Sequence, residues 1–143
     1  MTDTNHQFSI SLPVGWEDNS VFTFMGPDSH GVKHMLNLTI EKNVGDHNTD
    51  TFARERIQLS QSSIGVVDTL KDTRRTLSNG LEAHEWINKT VPIDGKARFH
   101  QRIYLVRDGR GYTFSAVYSK MSFKLLAGQV EQIISSFVPL KSA

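Results

Sequence analysis

The chain contains no cysteine. That absence excludes disulfides, thiolate metal ligands and thiol nucleophiles together, leaves the redox compartment open, and makes stability a matter of packing. A dominant charge is missing too: 16 Lys and Arg stand against 15 Asp and Glu, so no strong field draws in a polyanion, and nucleic acid is not an expected partner. No apolar run approaches the roughly 18 residues of a membrane-spanning helix, so direct membrane insertion is not expected. Met1 to Gln7 is polar, with no basic stretch leading into an apolar run. No secretory or lipoprotein signal is therefore expected, and the cytoplasm is the expected location. Repeats, low-complexity tracts and linkers are also lacking, so one domain is expected over residues 1–143.

Two periodicities fill the chain. Phe8, Ile10 and Leu12 alternate with polar residues until Pro13, the period of a strand with one buried face. The run 21–25 is β-branched and aromatic and ends at Gly26-Pro27, and Leu36, Leu38 and Ile40 alternate again. Phe52, Ala53, Ile57, Leu59 and Ile64 fall on one arc of a helix capped by Asp50 or Thr51, with Arg56 as a blemish on that arc. Residues 66–78 read as a polar strand, and Asn79-Gly80 suits a type I′ turn into a return strand from Leu81 to about Val91. The segment 99–107 and the strand Tyr112 to Tyr118 flank Asp108-Gly109-Arg110-Gly111, which predicts a central hairpin. Phe123, Leu126, Ala127, Val130, Ile133, Ile134 and Phe137 recur at helical spacing behind Ser122 as cap, and Pro139 ends the helix. Short turns between most strands point to antiparallel pairing. The expected fold is α+β: an antiparallel sheet of about seven strands packed with two main helices.

No catalytic constellation emerges. The six histidines, His6, His30, His34, His47, His84 and His100, are scattered, and only His30 and His34 are closely spaced, around Gly31. No metal site and no cofactor is expected, and His84 and His100 read as ordinary exposed strand residues. No serine sits in a Gly-x-Ser-x-Gly elbow, and Glu82 and Glu85 point to opposite faces of one strand. Gly109-Arg110-Gly111 lacks the further glycine, Lys-Ser pair and following helix of a phosphate loop. Lys71 with Arg74-Arg75 forms either a small basic patch or, more simply, a solvated strand face. The chain reads as a protein that is not an enzyme.

What is present instead is apolar character on both sides of several strands. With Phe22 and Phe24 facing the helices beside Leu36, Leu38 and Ile40, the residues Val21, Met25, Met35 and Trp86 look out from the other face. Such a face needs a cover, supplied by a helix, a second copy of the chain or a foreign apolar segment.

The motif Phe8-x-Ile10-x-Leu12-Pro13-x-Gly15-Trp16-x-Asp18, the strand from Val21 to Phe24, Asn79-Gly80 before a strand, Gln101-Arg102-x-Tyr104 before Asp108-Gly109-x-Gly111-Tyr112, and the ending Ile133-x-Ser135-Ser136-Phe137 span nearly the whole chain. Together they resemble the DcrB-like group of the PsbP-like fold, whose cytoplasmic members include effector-associated (Eag) chaperones of type VI secretion. That resemblance implies a homodimeric chaperone or adaptor that shields hydrophobic transmembrane segments of a secreted effector. It implies a groove whose outward positions correspond to Val21, Thr23 and Met25. Thr23 departs from the aliphatic pattern of that group, and its hydroxyl, with Thr39 on the neighbouring strand, makes the grip partly polar. The alternatives are a small-molecule-binding domain with a polar cavity containing His84 or His100, and a structural subunit that docks through a sheet edge.

Overall fold

Asp108 and Gly109 take φ of 54° and 75°, the two positive values that a type I′ turn requires, and they fold β5 (Arg98–Arg107) back on β6 (Arg110–Ser119). This hairpin is the centre of the sheet, as the Asp-Gly pair predicts. In the computed structural model, which describes residues 10–17, 19–26, 34–64, 67–77, 80–91, 93 and 95–139, four further strands extend it. They are β1 (Asn19–Met25), β2 (Met35–Glu41), β3 (Asp68–Thr76) and β4 (Glu82–Thr90), and the spatial order is β1-β2-β6-β5-β4-β3 with every neighbouring pair antiparallel. The molecule is α+β, with six strands among the described residues rather than about seven. Of the strand expected before Pro13, Phe8 and Ser9 lie outside the described residues, and Ile10 to Leu12 join no ladder.

The first helix, α1 (Thr49–Ile64), links β2 to β3, which lie four positions apart in the sheet. That span is about 19 Å at the usual strand spacing, and a helix of this length reaches about 24 Å, so α1 crosses one face of the sheet. It packs there on β4 and β5, closing a core of Phe52, Ala53, Ile57, Trp86, Tyr104 and Val44. The second helix, α2 (Lys120–Ser135), follows β6 directly and packs on the opposite face over β6 and β5. There Leu126 and Ile134 join Leu36, Leu38, Ile103, Leu105 and Phe114. Side chains alternate across a strand, so each strand feeds both cores: Ile103 and Leu105 point to α2 while Tyr104 points to α1.

Both helix starts sit earlier than the sequence suggests. Asn48 caps α1, accepting from the Thr51 N–H at 2.9 Å on Oδ1 while its own N–H donates to Thr51 Oγ1 at 3.0 Å, so Thr51 closes the capping box rather than opening the helix. Ser119 caps α2: Oγ accepts from the Ser122 N–H at 3.1 Å, and the Ser119 N–H donates to Ser122 Oγ at 2.8 Å. Arg56, the apparent blemish, covers the Phe52 ring at 4.8 Å and pairs with Glu41, whereas Leu59, expected on the buried arc, is exposed. At the entry to β6 a Cβ on Gly111 would lie 2.6 Å from the Phe52 ring, so only glycine lets the α1 aromatic seat against that strand.

Candidate partner-binding face and adjoining cleft

Because α1 stands over β4 and β5 and meets β6 at Gly111, the rest of this face on β1, β2 and β6 is left without a helical cover among the described residues. The pairing register arranges this bare half in rows. Met25 stands beside Met35; Thr23, Asn37, Ser115 and Arg102 form the next row; Val21, Thr39, Thr113 and Tyr104 form the one after. Val21, Met25 and Met35 are 59%, 60% and 47% exposed, and Val117 on β6 adds 44%. Thr23 is exposed too, and its Oγ1 donates to Asn37 Oδ1 at 2.7 Å, so this hydroxyl has an intramolecular partner.

Five of the six residues marked out in the sequence, Val21, Thr23, Met25, Met35 and Thr39, thus share the uncovered half. Trp86 does not. It points to the expected face, but α1 lies directly over it, leaving it 0% exposed with its indole N–H donating to Thr69 Oγ1 at 3.1 Å. The outward-looking Trp86 of the sequence reading is corrected to a core residue. The histidines are corrected likewise: His84 is buried against Asp72, and half-buried His100 has Nε2 3.0 Å from Thr90 Oγ1. Burial, with Arg102 and Arg98 nearby, lowers the pKa of His100.

Where the bare half meets α1 it deepens into a cleft of about 410 Å³. Its floor is Thr39, Tyr104, Thr113, Ser115 and Arg102, and its helical wall carries Arg56, Ser60 and Ser63. Glu41 closes one end, held by Arg56, whose Nε donates to Oε2 at 2.9 Å. The cleft contains neither His84 nor His100. Sequence reasoning named Arg102 and Tyr104 only within the Gln101-Arg102-x-Tyr104 motif and assigned them to no site; no local signal sets Arg102 apart in a strand that also carries Arg98, His100 and Arg107.

A separate polar cluster lies beneath α2. Glu85 is 2% exposed, accepting on Oε2 from Gln101 Nε2 at 2.8 Å and Arg75 Nη1 at 3.3 Å, with Lys71 Nζ 2.9 Å from Oε1. Gln101 Oε1 accepts from the Tyr118 hydroxyl at 2.9 Å, and Arg75 Nη1 reaches Glu131 on α2 at 3.0 Å. Burial pushes the Glu85 carboxyl up, but Lys71, Gln101 and Arg75 outweigh it and hold the pKa below the ordinary value. Burial, with Glu131 and Glu85 nearby, pushes the Tyr118 hydroxyl well up, so it stays a donor. Lys71 and Arg75 therefore serve a buried carboxylate, while Arg74, on the other face, pairs with Asp50, and no joint basic patch forms.

Among the described residues no group of three His, Asp or Glu side chains is placed to hold a metal ion, and no helix is long and apolar enough to cross a membrane. Glu82 and Glu85 do point to opposite faces, as their spacing predicts.

No family model and no curated protein matches this chain. Among solved structures it is similar to a Pseudomonas aeruginosa protein of unknown function, PA94, described as a candidate regulator. The TM-score is 0.77 at 13% identity, over 97% of this chain and 96% of that one. At such identity the likeness extends to the fold alone.

Proposed function

We propose that this protein is a non-enzymatic chaperone or adaptor of the DcrB-like group, built on the PsbP-like fold. It works in the cytoplasm as a homodimer and holds an apolar, transmembrane segment of a type VI secretion effector on the bare half of its sheet. The observation that carries this reading is the exposure of Met25 beside Met35, of Val117 on β6 and of Val21 further along β1, all on a stretch of sheet face that no helix covers among the described residues. An edge strand with apolar side chains in the open is an aggregation hazard unless something pairs with it or lies over it. An apolar helix laid across β1 and β2 removes that area from water and in turn has its own apolar face covered. The class of partner comes from the resemblance of the sequence motifs to the DcrB-like group, whose cytoplasmic members include such chaperones.

Co-expression with a type VI secretion effector that carries transmembrane segments tests the proposal. The effector's membrane segments are expected in the soluble fraction only when the chain is present, and Val21→Asp is expected to abolish that protection. Val21 is 59% exposed, so the variant itself should keep its fold and melting temperature. Effector segments equally soluble and abundant without the chain would sink the idea. The polar cleft favours a second reading, a small-molecule-binding domain, in which a free ligand occupies the cleft and the apolar rows stay idle.

A further inference from the structure

The cleft holds a charge without a counterpart. Arg102 Nη1 donates to Ser60 Oγ at 2.5 Å and its guanidinium lies 5.8 Å from the Trp86 ring centroid, but no carboxylate among the described residues pairs with it. Arg56 across the cleft is already matched by Glu41. A guanidinium offers five N–H donors in a planar fork, so most of those on Arg102 remain for another acceptor. Beside it Tyr104 lines the cleft but is only 1% exposed; its buried hydroxyl lies near the Arg102 guanidinium and makes no hydrogen bond of good geometry. Burial raises the pKa of that hydroxyl while the neighbouring Arg102 pulls the other way, so at neutral pH it is protonated, and a small shift of the ring would let it donate into the cleft. Thr113 and Ser115 add hydroxyls to the same floor.

One unmatched guanidinium with a buried phenol at its side selects an acceptor-only, planar, singly charged group. A dianion fits less well, because only one cation is unmatched and Glu41 stands at the rim. We propose that the cleft is a carboxylate subsite, in which Arg102 and Tyr104 take the acid group of an Asp or Glu carried beside the apolar stretch of the bound segment. The inference rests on the chaperone reading and adds to it the kind of segment that fits. Continuity between the two surfaces comes from Thr39, which stands beside Val21 in the ladder and also lines the cleft.

Two synthetic peptides test it: a Lys-flanked Leu/Ala helix carrying one Glu, and its counterpart with Gln, titrated against the intact protein at pH 7. The Glu peptide is expected to bind about tenfold more tightly, the worth of one charge-assisted hydrogen-bond set. Arg102→Gln should erase the preference, so that the Glu and Gln peptides bind equally, whereas Val21→Asp should weaken both peptides and keep the preference. Tyr104→Phe, which keeps the ring packed 6.2 Å from Phe52, should reduce the preference without risk to the fold. Equal affinity of the wild-type protein for the two peptides overturns the subsite and leaves the apolar face standing; binding of neither overturns both. If octanoate erases the Glu preference at concentrations below the peptide's own Kd, the cleft belongs to a free carboxylate and the side-chain assignment falls.

Discussion

Replacing Glu85 by Gln removes one buried charge while keeping its volume, and the structure says what is left behind. Gln101 still accepts from Tyr118 but loses its charged acceptor, and Arg75 keeps Glu131. Lys71 has a half-exposed side chain and turns to solvent. Breaking a buried pair outright costs about 3–5 kcal/mol. With both cations able to recover, the loss here is expected at about 2 kcal/mol at pH 7, or roughly 7 °C in Tm for a chain of this size. The pH dependence is the sharper measurement. The folded-state pKa of Glu85 is depressed, so its contribution is fully present above the ordinary glutamate value of 4.5 and is lost as pH falls through the lower folded value. Urea unfolding from pH 7 down to pH 3 should therefore show the wild-type curve converging on that of the variant below about pH 4.5. A gap that stays constant across that window, or no gap at pH 7, would refute the assignment of Glu85 as a stabilising anion.

Two further outcomes follow from the packing. Gly111→Ala should destabilise the fold by about 1–3 kcal/mol, since its methyl would meet the Phe52 ring at 2.6 Å; chemical denaturation reads this directly, and a neutral result would place the ring elsewhere. Thr23→Val breaks only an exposed hydrogen bond to Asn37 and should leave stability within about 0.5 kcal/mol while tightening the grip on a purely apolar helix about threefold, as one added apolar group allows. Titration of the Gln peptide measures it, and weaker binding would mean that the Thr23 row reads polar groups instead.

Local chemistry made much of the fold legible. The Asp108-Gly109 turn, the alternation of β2, the apolar strand β6 and the periodicity of α2 all depend on neighbours in sequence, and each appears where expected. The facing of Trp86 was legible by the same logic. Its burial was not, because that depends on which strands a crossover helix covers after spanning the sheet, and no local pattern carries this placement. His84 was misread as exposed for the same reason, being a strand residue lying beside α1 rather than in the open half. Lys71 and Arg75 look like surface cations in a polar strand, and only strand pairing and α2 reveal the buried carboxylate they serve. The cleft was illegible because its walls come from β2, α1, β5 and β6, four segments with no shared motif.

The two helices lie on opposite faces and are displaced toward the β5 side, so they leave β1 and β2 unevenly supported. Leu36 and Leu38 tie β2 into the α2 core, but β1 is held mainly by its ladder to β2 among the described residues and carries exposed apolar groups on both faces: Phe22 and Phe24 on one, Val21 and Met25 on the other. Two strands alone are marginally stable in water. The pairing of β2 with β6 is what holds the hairpin to the sheet, and β1 depends on it at one remove. A segment lying on Val21, Met25 and Met35 would bury apolar surface and steady the strand that presents it. Partner binding and edge-strand order are then two readings of the same free energy, and a charge at Val21 removes the first without touching the ladder that maintains the second.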